Sequence, residues 1–488
     1  MSDTMTKNGT HFDKNLIFEK DNDTLSRFAF THSAKQASDY LPANQVRNAE
    51  LDMPNVSEVE VVRHFIELSG KNYGVDNGMY PLGSCTMKYN PKINEKISKF
   101  DSFNNMHPYS ANERVQGTLE IIHECGKDLA EVTGMADMSF APCAGAHGEL
   151  TAMFIVKAYF RNKGEDRQII LVPDSAHGTN PASANVAGFK VVSVNSDADG
   201  FVDIEDLKSK ANENVAAFML TNPNTLGLYE KNIALIRDIC HAKGIQLYYD
   251  GANLNAILGI SRPGDTGFDL VHLNLHKSFS TPHGGGGPGC GAVGVKAHLK
   301  DFMPNYITSY KNGQYSIEHR GGLTIGQVRA FSTNFSVLVK AYTYIKALGA
   351  AGLRMSGLLA LLNANYIAAL LRDTFTIATK PHIMHEFVIG LDSECHQYDI
   401  SIMDFAKRIL DYGYHAPTVS FPLIVHNCLM IEPTETESKK RLDDFAAVLL
   451  KIYDEMKTDA QTLRDCPTLT PVKRIDDVTA ARQPIVKY

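Results

Sequence analysis

The sequence has no tryptophan, and its eight cysteines, at 85, 125, 143, 240, 290, 395, 428 and 466, include no C-x-x-C pair. That scatter argues against a disulfide framework and against zinc spacing, so reduced thiols in a cytosolic setting are expected, with no metal. An apolar leader is missing too. The opening MSDTMTKNGTHFDKNLIFEKD has neither a signal-peptide core nor the arginine enrichment of a transit peptide, which predicts a cytoplasmic location. Long hydrophobic runs are scarce: the most apolar of the uncharged stretches, Met355 to Leu371, is short for a span and carries Ser356, Asn363 and Asn365. It reads as a buried helix. Nor is positive charge in excess, since Lys+Arg 48 against Asp+Glu 55 leaves a formal charge of -7. Neither nucleic acid nor a membrane surface is an expected partner.

What is present is a globular composition, 44% hydrophobic and 21% charged, on 488 residues, more than one hydrophobic core usually holds. From about residue 140, short β-rich runs alternate with amphipathic stretches, the pattern of an α/β fold with a mainly parallel sheet. Ile169 to Val172, Lys190 to Val194, Ala216 to Thr221, Ile245 to Asp250 and Leu270 to Asn274 read as strands, with helices at 147–162 and 231–243. Residues 72–92, NYGVDNGMYPLGSCTMKYNPK, are too irregular for a packed helix and read as a positioned loop. Beyond about 335 come a helical stretch, a strand at 385–391 and an amphipathic helix at 401–414. The expected division is an N-terminal arm and helical segment (1–115), a large α/β domain (116–335), a smaller C-terminal α+β domain (336–465) and an extended tail (466–488).

Ligands of such sheets sit outside the carboxyl ends of the strands, where polar residues are therefore the first candidates. Lys277 follows the strand ending at Asn274; a lysine buried there is costly and becomes a nucleophile toward carbonyls. Asp250 ends another strand, and the small Gly251 and Ala252 after it leave room for a flat ring. Upstream, APCAGAHGELTAMF is a small-residue loop running into a helix, whose free N–H groups at Ala144, Gly145 and Ala146 suit a phosphate. His177 and Asn222 stand at further strand ends. Each feature alone has a bland reading: a surface lysine, a D-G turn, a bare loop-to-helix connection. Together they match pyridoxal phosphate, which needs a lysine for its aldehyde, a carboxylate for its pyridine nitrogen, a planar group over the ring and an anion site. His276 has two readings, a phosphate contact or a partner for the backbone.

Two decoys fail on context. Gly289, Gly291 and Gly294 spell G-x-G-x-x-G, but no helix pattern follows and no acid sits about 20 residues on. HEFVI at 385–389 lacks the second histidine of a zincin helix.

The segments YPLGSCTMKYNPK (80–92), CAGAHGE (143–149), SAHGTNPAS (175–183), TNPNTLG (221–227), DGANLNA (250–256), HLNLHKSFSTPHGGGGPG (272–289) and IEPTETES (431–438) closely resemble the glycine-cleavage P-protein family. That resemblance implies a pyridoxal-phosphate enzyme of the fold-type I, aminotransferase-like class. It would decarboxylate glycine and pass the aminomethyl group to the lipoyl group of H-protein, with release of carbon dioxide. Lys277 would be catalytic, and Asp250, His177, Ala144, Gly145, Ala146, Ala252, His276 and Asn222 would join it in binding the cofactor. The family occurs as one long chain or as two homologous subunits; this length with Lys277 present resembles the lysine-bearing subunit, implying a homologous subunit 1 and two copies of each. Cys143 and Ser278 depart from the family pattern, which usually has a small apolar residue and threonine there. Ser84, Cys85, Thr86, Lys88 and Arg320 have no assigned role at this point. The alternatives are a pyridoxal-phosphate decarboxylase or lyase of another small amino acid, and a non-catalytic scaffold subunit.

Overall fold

The computed structural model describes residues 16–20, 37–47, 49, 53, 54, 56–107, 110–284, 289–379 and 383–484. The chain forms two compact units, Met1–Asn77 with Pro467–Tyr488, and Gly78–Cys466. In the first, the helix Glu58–Gly70 begins at a capping box, in which Ser57 Oγ accepts from the Glu60 N–H and Glu60 returns a carboxylate oxygen to the Ser57 N–H. Among the described residues of its tail, 471–484 are exposed and contain one short helix, Asp477–Arg482.

The second unit is built on a seven-stranded sheet. Its strands are β1 (Asp137–Ser139), β2 (Ile169–Pro173), β3 (Lys190–Val194), β4 (Val215–Thr221), β5 (Gln246–Gly251), β6 (Leu270–Asn274) and β7 (Gly291–Val295), in the order β1-β7-β6-β5-β4-β2-β3. β7 runs antiparallel to both neighbours, and the other pairings are parallel. β4, β5 and β6 are buried along their whole length, which their apolar runs required, whereas edge strand β3 exposes Lys190 and Ser193. Alternation sends Phe218, Leu220, Leu247, Tyr249 and Val271 into a core shared with Phe268 and Leu338. Ala217, Met219, Tyr248 and Leu270 face the opposite core, beneath the helix Gly145–Asn162.

A hairpin, β8 (Ile307–Lys311) and β9 (Gln314–Glu318), follows, and then a four-stranded antiparallel sheet of β10 (Thr376–Ile377), β11 (Phe387–Gly390), β12 (Thr418–Val419) and β13 (Cys428–Ile431), in the order β10-β11-β13-β12. The helices Ile402–Asp411 and Lys439–Thr458 close over it around Phe387, Phe405, Ile409, Phe445 and Leu449. One long helix, Phe335–Leu371, broken at Gly349 (φ 60°), links the cores: Leu338 and Ala341 enter the first, Ala364, Ile367 and Leu371 the second.

The sequence reading of Met355–Leu371 as a buried helix needs correction. One face is buried at Ala360, Ala364 and Ile367, but Met355, Leu358, Leu359 and Leu362 are exposed, Leu362 by 60%. By length and composition the helix could cross a membrane, yet it has a core-packed face, so apolar composition here marks one packed face and one open one. The strand expected at 385–391 begins at Phe387, leaving His385 and Glu386 just before it. The G-x-G-x-x-G glycines Gly291 and Gly294 lie within β7 itself, and Gly285–Pro288 of the glycine cluster fall outside the described residues. Phe218→Ala opens a void at the centre of β4 and is expected to cost about 3–5 kcal/mol. Leu362→Ala, on the open face, is expected to stay within about 0.5 kcal/mol. Paired thermal or denaturant unfolding of the two variants checks this.

Candidate active site

Lys277 lies on a four-residue helix, Leu275–Ser278, that starts where β6 ends. Strand and helix are both held in the interior, so the amine emerges inside the protein: the residue is 8% exposed and Nζ donates to the Ser84 carbonyl at 2.7 Å. Strand register then sets the neighbours. Thr221 of β4 pairs with Asp250 of β5, and Asp250 with His272 of β6, a row across three carboxyl ends.

Asp250 is the centre of that row. Its Oδ2 accepts from Thr221 Oγ1 at 2.9 Å and Asn180 Nδ2 at 3.0 Å, and its Oδ1 from the Ala252 N–H at 3.0 Å. Burial pushes its carboxyl pKa upward, but His272, 3.5 Å away, and these donors prevail and hold it below the usual range. A second carboxyl, Glu149, resolves the other way: burial and the Asp250 charge lift it to about 8, against bonds from Thr179 and Ser183. Asp250 is thus the charged member and Glu149 the protonated one. Tyr248 OH contacts His272 Nδ1 at 2.5 Å, and Asn274 Oδ1 lies 2.9 Å from Nε2, which fixes the imidazole.

The expected anion cradle lies beside this row. Ala144 is extended and supplies no side-chain cap, so the helix Gly145–Asn162 opens with bare N–H groups. Gly145 sits against the Asn274 side chain where any Cβ would collide, and Gly148 packs on His272. Asn334 Nδ2 ties the Cys143 and Gly289 carbonyls together, and Arg329 reaches Cys143 Sγ at 3.3 Å. His276 Nδ1, Ser278 Oγ, Thr281 Oγ1 and His283 Nε2 are buried without partners. Burial drives His276 down to about 3, so it is neutral and can donate without carrying charge. Such a set of unsatisfied donors beside a bare helix start fits a phosphate group.

Of the other predicted residues, His177 is exposed, its Nδ1 3.0 Å from Thr179 Oγ1 and its ring edge-on to Phe421, within electrostatic range of Asp250 and Lys277. Asn222 turns Oδ1 to the Glu230 N–H and leaves Nδ2 buried and unpartnered, next to Thr221. Arg320 is elsewhere, bound to Asp137 and to the Lys300 and Pro304 carbonyls.

Sequence reasoning missed Glu149, His272 and Asn180, which belong to the segments quoted for the resemblance but carry roles only once the strands pair. It also left the 80–92 loop without a role. That loop brings Ser84 to Lys277 and buries Lys88, whose Nζ donates to Glu435 at 2.8 Å, to Asn255 at 2.9 Å and to the Ser278 carbonyl at 2.8 Å. A hint was available in Glu386 and Glu432: acids directly flanking apolar strands are rarely there for solubility.

Solved structures place the architecture first. The fold is similar to a glycine decarboxylase (P-protein) of the glycine cleavage system in inhibitor-bound form, with TM-score 0.70 and 19% identity, covering 85% of this chain and 94% of that one. It is also similar to the Lactobacillus brevis glutamate decarboxylase, with TM-score 0.65 and 14% identity, covering 86% and 97%. Family models then match directly: "Glycine cleavage system P-protein" over residues 23–314 and "Glycine dehydrogenase, C-terminal domain" over 356–468. A "Probable glycine dehydrogenase (decarboxylating) subunit 2" of Caldanaerobacter subterraneus is 54% identical over 93% of this chain and 94% of its own length. One of Kosmotoga olearia is 51% identical over 97% and 99%. The chain belongs to the glycine cleavage system P-protein family.

The Glu149 carboxyl is predicted to make stability pH-dependent. Because its folded value lies above that of an unfolded glutamate, its contribution is complete below about pH 4.3 and is lost as pH rises through about 8. Glu149→Gln in cofactor-free protein should flatten that decline, matching wild type near pH 5 and melting at least about 2 °C higher near pH 9. Melting curves across that range test it.

Proposed function

We propose that this chain is the lysine-bearing subunit of a glycine decarboxylase that uses pyridoxal 5'-phosphate and transfers the aminomethyl group of glycine to the lipoyl group of H-protein. The observation that carries the reading is the strand-end row Thr221, Asp250, His272 with Lys277 one short helix beyond it. Family membership and the names of the subunit 2 relatives support the choice of glycine.

The cofactor supplies a sink for the electron pair left when a carboxylate departs. Everything else falls to the chain. Lys277 would hold the aldehyde carbon. Asp250, kept ionised, would accept a hydrogen bond from the protonated ring nitrogen and hold that proton on the ring; Glu149, kept protonated, adds no second charge beside it. Ala144, Gly145 and Ala146 would donate to the phosphate together with His276, and Ala252 would leave a flat approach to the ring. Asn222 has a free Nδ2 to donate, and His177 would cover the open face.

A homologous subunit 1 is the proposed partner, two copies of each, with lipoylated H-protein docking in turn. The cytoplasm is the proposed location, supported by eight cysteines that form no disulfide with one another. The division into 116–335 and 336–465 is proposed as the working one, because separate buried cores lie under the two sheets.

Exchange of labelled bicarbonate into glycine, with subunit 1 and lipoylated H-protein present, tests the reaction; absence of exchange would overturn it in favour of a decarboxylase or lyase of another small amino acid. Lys277→Ala is expected to abolish the visible cofactor band, a loss that a non-catalytic scaffold would not show. Asp250→Asn should lower turnover at least about tenfold more than it lowers cofactor retention, since phosphate contacts persist when the charge is removed. Equal losses would contradict that division of roles.

A further inference from the structure

The amine of Lys277 is received by a backbone carbonyl in an unusual turn. Ser84 and Thr86 both adopt left-handed backbone conformations, φ 63° and 45°, although neither is glycine. A residue with a Cβ holds such a conformation only when its surroundings impose it. Here two glutamate side chains do so. Glu386 accepts from the Ser84 N–H at 2.6 Å and Glu432 from the Thr86 N–H at 2.9 Å. Thr418 Oγ1 donates to the Gly83 carbonyl, and the Gly83 N–H reaches the Met430 carbonyl. Both glutamates come from the four-stranded sheet, Glu386 just ahead of β11 and Glu432 just after β13, and both are fully buried.

This arrangement is costly. Glu386, Glu432 and His385 bring their side-chain polar atoms within 4.8 Å of one another, and both His385 nitrogens lack a partner. Burial holds His385 neutral, near 3, so it offers no counter-charge. Burial and the Glu432 charge push Glu386 far above the carboxylate range; burial lifts Glu432 to about 7 against the bonds from Thr86. Lys277 is the cation that opposes both shifts. Glu435 is engaged with Lys88, while Cys85, between the two clamped residues, is kept a thiol chiefly by burial. A pair of carboxyls that only filled the core would be better replaced by amides or hydrocarbon.

We propose that Glu386 and Glu432 are positioning residues for Lys277: they clamp the Ser84–Thr86 turn so that the Ser84 carbonyl receives the lysine amine, with Glu432 supplying the negative charge of the pair. The role deepens the reading under Proposed function. A lysine that must leave the cofactor for a substrate amine, and later return, needs a fixed place close by, and the clamped carbonyl is that place.

Glu386→Gln and Glu432→Gln keep shape and hydrogen-bond acceptance, and the second also removes the charge of the pair; the double variant tests the clamp. Two readouts apply. In cofactor-free protein, amide exchange over residues 80–90 is expected to rise several-fold in the double variant. In cofactor-loaded protein, the pH midpoint of the visible cofactor band is expected to fall by about one unit in Glu432→Gln, which removes the charge of the pair, with the glycine KM nearly unchanged and kcat reduced. Faster exchange with an unmoved band would make the clamp merely structural and overturn the positioning role, as would no change in either. If a variant fails to fold, Thr418→Val loosens the same turn from its other side and is read by exchange and kcat; normal values for both overturn the clamp. Wild-type protein with no visible band would overturn the proposed function instead, so the two failures are separable.

Discussion

A cation inside a protein has to be surrounded by oxygen, and the interior of this one is organised around that need. Lys277 emerges from a buried strand and a single turn of helix, with only 8% of its surface exposed. Its amine is met by a carbonyl, and acidic groups stand on two sides, the charged Asp250 on the large sheet and the Glu386–Glu432 pair, with at most one charge between them, on the small one. Water cannot make good a misplaced charge here, so the surrounding groups are fixed by strand register and backbone donors.

The two sheets contribute differently. The parallel sheet supplies a row whose spacing is set by the ladder itself, with Thr221, Asp250 and His272 in adjacent strands. The antiparallel sheet reaches the same centre through the 80–92 loop, using Glu386, Glu432 and Glu435 as anchors. Lys88 completes the link, since one buried ammonium bonds both Glu435 and the carbonyl of the residue that follows Lys277. The lysine is therefore held from both sheets.

Much of this was legible in the sequence. β2 to β6 could be read to within a residue or two because strands buried on both faces must be continuous apolar runs, and Lys277 and Asp250 stood out as charges at the ends of such runs. The assembly around them was not legible. Glu149 and Asp250 are about a hundred residues apart, and which one keeps its proton depends on donors that only packing supplies. Ser84 meets Lys277 across 193 residues through a carbonyl, which every residue has and no motif marks. The helix ending at Leu371 misled for another reason: composition reports how apolar a helix is, not how many of its faces are covered.

The contact between Ser84 and Lys277 is made by main chain alone. Replacing Ser84 by another residue leaves the oxygen in place, so scanning the turn one side chain at a time would pass over it. Selection on that hydrogen bond must act at a distance, on whichever side chains fix the backbone angles. The residues that report on the lysine's environment are then to be sought some three hundred positions further along the chain.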